Sequence, residues 1–185
     1  MVHRIVRTAV LSVAVLSVGF AGLLATPGTA SAGQRNAGEQ WVTFSPKEGN
    51  FTVKLPGEPE ELSQDIGGSK GAIYGYTEGD AGVYLVGYVD LPEGTVTGDN
   101  ASEVLDKLVE ESGKGEGLVL KSKAITLGKH PGREFIVNVP EIDGSGKCRI
   151  YLVGSRLYLT VAVGTEEFMG NKNVDTFLNS FKLTK

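Results

Sequence analysis

The spacing of apolar and polar residues lays most of the chain out as strands. Trp41-Val42-Thr43-Phe44 opens the patterned region. Phe51, Val53 and Leu55 then alternate with polar neighbours, so the three share one face of a strand that Pro56-Gly57 stops. Glu58 to Ile66 fits a weakly apolar edge strand, and Ala72 to Thr77 with Val83 to Leu91 reads as a hairpin around "EGDAG". The period then changes. Ala101, Val104, Leu105, Leu108 and Val109 fall at i, i+3, i+4, i+7 and i+8, the apolar stripe of a helix running from Asn100 to Ser112. Asn100 is placed to cap it, Glu103 to complete a capping box, and Gly113 to end it. Strands resume at Leu118 to Leu127, with an irregular alternation that suits a bulge, then at Arg133 to Val139, Lys147 to Val153 and Arg156 to Val163. Val174, Phe177, Leu178 and Phe181 restore helical spacing near Asn173 to Lys182.

One hairpin has a predictable register. Gly154-Ser155 suits a two-residue turn, which pairs Val153 with Arg156, Leu152 with Leu157, Tyr151 with Tyr158, Ile150 with Leu159 and Cys148 with Val161. Cys148, Ile150, Leu152, Leu157, Leu159, Val161 and Val163 then line a core face. The opposite face carries Arg149, Tyr151, Arg156, Tyr158 and Thr160. Arginine and tyrosine are typical of interface hot spots, which makes Arg149, Tyr151, Arg156 and Tyr158 the candidate binding patch. The competing reading, favoured on residue type, has a helix covering this face with only phenol tips reaching water.

His130, Arg133 and Glu134 lie together in "LGKHPGREFIV" and resemble a catalytic cluster. Pro131-Gly132 suits the centre of a type II turn, and a residue before proline is biased to extended geometry. Arg133 and Glu134 are neighbours on a strand and so point to opposite faces. The stretch therefore reads as a turn and a strand start, not as a catalytic trio.

The first residues bear on destination. A basic head with His3, Arg4 and Arg7, an uncharged apolar run from Ala9 to Leu24, and Ala30-Ser31-Ala32 together read as a secretory signal peptide over residues 1–32. The run is shorter than the ~20 residues a membrane span needs. Residues 33–40 read as a flexible leader and 41–185 as one domain, periplasmic or extracellular, with no stable membrane anchor after cleavage. Cleavage after Ala32 removes Arg4 and Arg7, leaving 16 basic residues against 22 acidic ones, a net charge of about −6. That balance disfavours nucleic acid and anionic lipid as partners.

Candidate chemistry is sparse. A lone cysteine allows no intrachain disulfide, and the register places Cys148 in the core as a small hydrophobe. His130, the one histidine outside the first residues, and a single buried cysteine do not make a zinc site, and "EIDGSGKC" lacks the alternating acids of a calcium loop. The same stretch lacks the leading glycine and the closing Ser or Thr of a phosphate loop. The adjacent pairs Glu60-Glu61, Glu110-Glu111 and Glu166-Glu167 suit solvated faces, not carboxylates opposed across a cleft. Asn50-Phe51-Thr52 and Asn100-Ala101-Ser102 fit glycosylation sequons; without a glycosylating host, Asn50 is a turn residue and Asn100 a cap. No catalytic residue, metal site or cofactor is expected.

In "WVTFSPKEGNFTVKLPGEP" and in "LGKHPGREF", "RIYLVGSRLYLTVAVG" and "FLNSFKL" the chain resembles uncharacterised exported bacterial proteins. These are in turn similar to the PsbP-like superfamily of the photosystem II extrinsic protein, Mog and DcrB type. The resemblance covers nearly the whole of the chain expected after cleavage, Gly33 to Lys185. It implies an α+β fold in which an antiparallel sheet carries two packed helices as an α/β/α sandwich, and a non-enzymatic accessory or binding role. The expected partner is a protein of the cell envelope. The alternative is a carrier or sensor holding an apolar molecule between sheet and helix, which would show as a lined cavity under the helix from Asn100 to Ser112.

Overall fold

The computed structural model describes residues 41–66, 69–97, 99–114 and 118–184. The signal peptide and leader expected over residues 1–40 lie outside the described residues. Among the described residues there are ten strands: β1 (Val42–Phe44), β2 (Phe51–Leu55), β3 (Glu60–Ile66), β4 (Ser69–Glu78), β5 (Gly82–Asp90), β6 (Val119–Leu127), β7 (His130–Val139), β8 (Gly144–Val153), β9 (Arg156–Thr165) and β10 (Lys182–Leu183). The helices among the described residues are α1 (Ala101–Ser112), α2 (Glu166–Met169) and α3 (Lys172–Ser180), and Pro140–Ile142 forms a single 3₁₀ turn. Seven strands make one antiparallel sheet in the order β3-β4-β5-β9-β8-β7-β6, and β1-β2-β10 form a small second sheet.

Each face of the large sheet carries its own core. On one side Leu105 and Val109 of α1 pack with Leu85, Phe135, Cys148, Ile150, Leu159 and Val161. On the other, β2 and α3 lay Phe51, Val53, Phe177, Leu178 and Phe181 over Tyr84, Val86, Tyr151 and Tyr158. With both faces covered, the central strands β5 and β9 are buried almost end to end. This is the α+β layering expected, with α2 as an additional short helix.

The β8–β9 register agrees with the expectation from Val153↔Arg156 to Cys148↔Val161. The irregularity expected in β6 is a register shift between Val119 and Lys121. Two local expectations are corrected. The β6–β7 turn is centred on Gly128-Lys129, because Leu127 pairs with His130 and Thr126 with Pro131. Gly128 has φ 60°, as Gly154 has 61° in the next hairpin, the positive value required at the first central position of a type II′ turn. Pro131 already belongs to β7, and the β7–β8 pairing begins only at Gly132, so its missing N–H costs no bond there. Gly132 answers to space: a Cβ there would lie 2.5 Å from the Ile150 carbonyl oxygen and from the Tyr151 ring.

Asn100, in turn, does not cap α1 with its side chain. Its Oδ1 accepts from the Thr97 amide at 2.8 Å and its Nδ2 donates to the Thr95 carbonyl at 3.1 Å, fastening the preceding loop. Glu103 pairs forward with Lys107 at 2.9 Å instead of back to the cap.

Candidate interaction face

Arg149 and Tyr151 on β8, with Arg156 and Tyr158 on β9, share the side of the large sheet that faces the second core. The two tyrosines lie opposite each other across the strands, and both are buried. Tyr151 stacks on Phe181 at 5.9 Å with the rings 7° from parallel, and Tyr158 meets Phe51 edge-on at 6.1 Å. Burial pushes the Tyr151 hydroxyl above its ordinary pKa. These rings are internal anchors for the covering layer.

The two guanidinium groups reach the rim of that layer, each in the same kind of arrangement. Arg149 Nε donates to Glu134 Oε2 at 2.6 Å, and its Nη1 donates to the Leu178 carbonyl and Asn179 Oδ1, both at 2.9 Å. A cation is thereby held at the C-terminal end of α3, where the free carbonyls favour it. Arg156 grips Asp90 with two bonds, at 2.6 and 2.8 Å, donates to the Glu48 carbonyl at 2.7 Å, and lies 4.2 Å from the centre of the Tyr88 ring. Each arginine thus ties a carboxylate of the large sheet to a backbone carbonyl of the layer above it.

The charges record this coupling. The hydrogen bond from Arg156 holds the Asp90 carboxyl below the usual carboxylate range and raises the arginine in turn. Burial alone would push Glu134 up, but Lys123, at 2.8 Å, and Arg149 outweigh it and bring the carboxyl below its ordinary value. The partners Asp90 and Glu48 are not singled out by the sequence, and Glu134 stands out there only beside His130 and Arg133. Asp90 stands opposite Arg156 in the β5–β9 pairing, so the strand order would have revealed it.

The neighbouring candidates separate. Glu134 turns toward Arg149 and the second core, whereas Arg133 turns to the other side and grips Asp106 of α1 at 2.7 and 3.0 Å. The two point apart as the strand alternation requires, and His130 stands at the start of β7. Cys148 is buried, and burial raises its thiol to about 12, well away from a nucleophile's range. Among the described residues no three His, Cys, Asp or Glu side chains are grouped to hold a metal ion. A hollow of about 200 Å³ lies at the far end of the large sheet, lined by Glu58, Glu60, Leu62, Gly75, Tyr76, Thr77 and Val83. It is remote from α1, whose Leu105 is fully buried in the first core. No helix among the described residues is long and apolar enough to cross a membrane.

No protein-family model and no curated protein sequence matches the chain. Solved structures do. Cyanobacterial PsbP (CyanoP) from Synechocystis sp. PCC 6803 superposes with a TM-score of 0.57 at 12% identity, over 84% of this chain and 98% of that one. The Ran-binding protein Mog1p of Saccharomyces cerevisiae gives 0.44 at 8% identity, over 80% and 97%. PA94 of Pseudomonas aeruginosa, a protein of unknown function, gives 0.44 at 12%, over 71% and 88%. The fold is PsbP-like.

Proposed function

We propose that the chain is an exported, non-catalytic accessory domain, residues 41–185, that acts by contact with a protein of the cell envelope. The observation that supports this best is how its ionic side chains are used. Glu134 and Asp90 hold the two arginines, the arginines bind carbonyls of the covering layer, and the thiol is sealed in a core. Its chemistry is spent on architecture, and its outer surfaces remain for recognition. The contact surface in this reading is the outside of the layer riveted by Arg149 and Arg156, with Tyr151 and Tyr158 anchoring it from beneath. Lys54 of β2 and Lys182 of β10 stand exposed on that layer.

The test is capture of partners from envelope extract after mild crosslinking, comparing the wild type with two double variants. Arg149→Ala with Arg156→Ala loosens the layer, and Lys54→Glu with Lys182→Glu alters only its exposed side. Loss of one stoichiometric partner in both, with the circular dichroism of the charge variant unchanged, is the expected outcome. Capture that survives both pairs of changes removes this face from the function.

A further inference from the structure

The large sheet ends in two unlike edges. β6 carries the most exposed large apolar residues described, Leu118 at its foot and Leu120 within it, at 65% and 62% exposure. Lys121 and Lys123 follow, and no acid occurs between Leu118 and Arg133. At the opposite edge β3 presents exposed Glu60 and Glu61 and the third exposed large hydrophobe, Leu62 at 38%, with Glu58 just before the strand. Among the described residues Glu58, Glu60 and Lys121 have no ion-pair partner.

The side of the sheet on which these groups lie is decisive. Lys123 pairs across to Glu134 and Lys121 stands opposite Ile136, while the carbonyl of Leu118, the residue before β6, accepts from the Asn138 amide; all three residues lie on the second-core side. The register shift removes one step, so Leu118, Lys121 and Lys123 sit opposite Asn138, Ile136 and Glu134 with even spacing. Glu58, Glu60 and Leu62 line one hollow on the first-core side, where Leu62 and Leu85 meet above Gly75. A second copy turned over, with its β3 antiparallel to this β6, brings the two sets to the same side. Leu118 then faces Leu62, Lys121 faces Glu60, and Lys123 faces Glu58. Pairing β6 with β6, or β3 with β3, would instead oppose like charges.

We propose that copies of this chain associate head to tail, the β6 edge of one adding to the β3 edge of the next in that register. The contact joins different patches and so does not close as a simple dimer. An edge-to-edge junction buries less than the ~1,200 Å² of a stable interface, so the association is weak and concentration-dependent. The proposal concerns contacts between copies and stands whether or not the envelope-partner reading does.

Sedimentation velocity on the protein made from its full-length sequence tests it over a concentration series. The wild type should grow past dimer as concentration rises. Lys121→Glu with Lys123→Glu should weaken this at least about tenfold, as should Glu58→Lys with Glu60→Lys, because each opposes like charges at the junction. An equimolar mixture of the two variants should recover it, since their edges are again complementary. A wild type that stays monomeric, stops at a dimer, or associates equally well with both charge variants overturns the proposal, as does a mixture that recovers nothing.

Discussion

Thr160 shows how individual residues report on their surroundings. It is fully buried on β9 between Arg149 of β8 and Val86 of β5, and its hydroxyl has no hydrogen-bond partner. A buried hydroxyl left unpaired forfeits its hydration, whereas valine has nearly the same shape. Thr160→Val should leave stability unchanged or raise it by up to about 1 kcal/mol, read from the urea midpoint; a loss larger than that would mean the hydroxyl is paired in solution. Glycines 132 and 154 make a second contrast. Gly154→Ala meets no neighbour but must hold positive φ, a cost of about 1–2 kcal/mol. Gly132→Ala has ordinary backbone angles but drives a methyl into the Ile150 carbonyl and the Tyr151 ring, and should cost more, about 2–3 kcal/mol by displacing the hairpin. Denaturation of both variants checks the order; a smaller cost for Gly132→Ala would mean that the Ile150 carbonyl and the Tyr151 ring yield to the added methyl.

Among the elements, legibility from sequence followed the range of the forces involved. The β8–β9 hairpin was readable to the residue, because a two-residue glycine turn fixes register locally and period two then propagates it. Helix α1 was readable from its stripe. Pro131-Gly132 misled because both residues favour turns, while the adjacent Gly128-Lys129 satisfies the same hairpin with fewer lost bonds. A cover over the Arg149, Tyr151, Arg156 and Tyr158 face is the favoured reading from sequence, and α3 with β2 supplies it; which residues build it was not readable, and the phenol tips are buried with the rings. Its alternation announced a second side of the sheet, but the cover is assembled from Phe51 and from Phe181, and no local pattern connects residues that far apart. α2, only four residues long, leaves no periodic signal.

For the whole molecule the ion pairs that hold the two bridging arginines on the large sheet set its response to acid. Asp90 and Glu134 have folded pKa values below their ordinary ones. Their contribution is therefore complete above the usual carboxylate range, about pH 4, and disappears as pH falls through the lower folded values. The melting temperature should fall on acidification below about pH 4. Asp90→Asn should melt lower than the wild type at pH 7 and lose less between pH 5 and pH 2, so that the two curves converge; parallel curves would show that the Asp90–Arg156 pair contributes nothing to stability. The same layers also impose an order of events in time. The cover over Tyr84, Tyr151 and Tyr158 comes from the early β2 and from α3 and β10, which are made after the whole of the large sheet. A nascent chain that has finished its large sheet still holds these rings open to water until Leu183 emerges beside Phe51. During that interval an aromatic surface as wide as a core lies bare, and the half-built protein is a natural client for whatever shields greasy surfaces during synthesis.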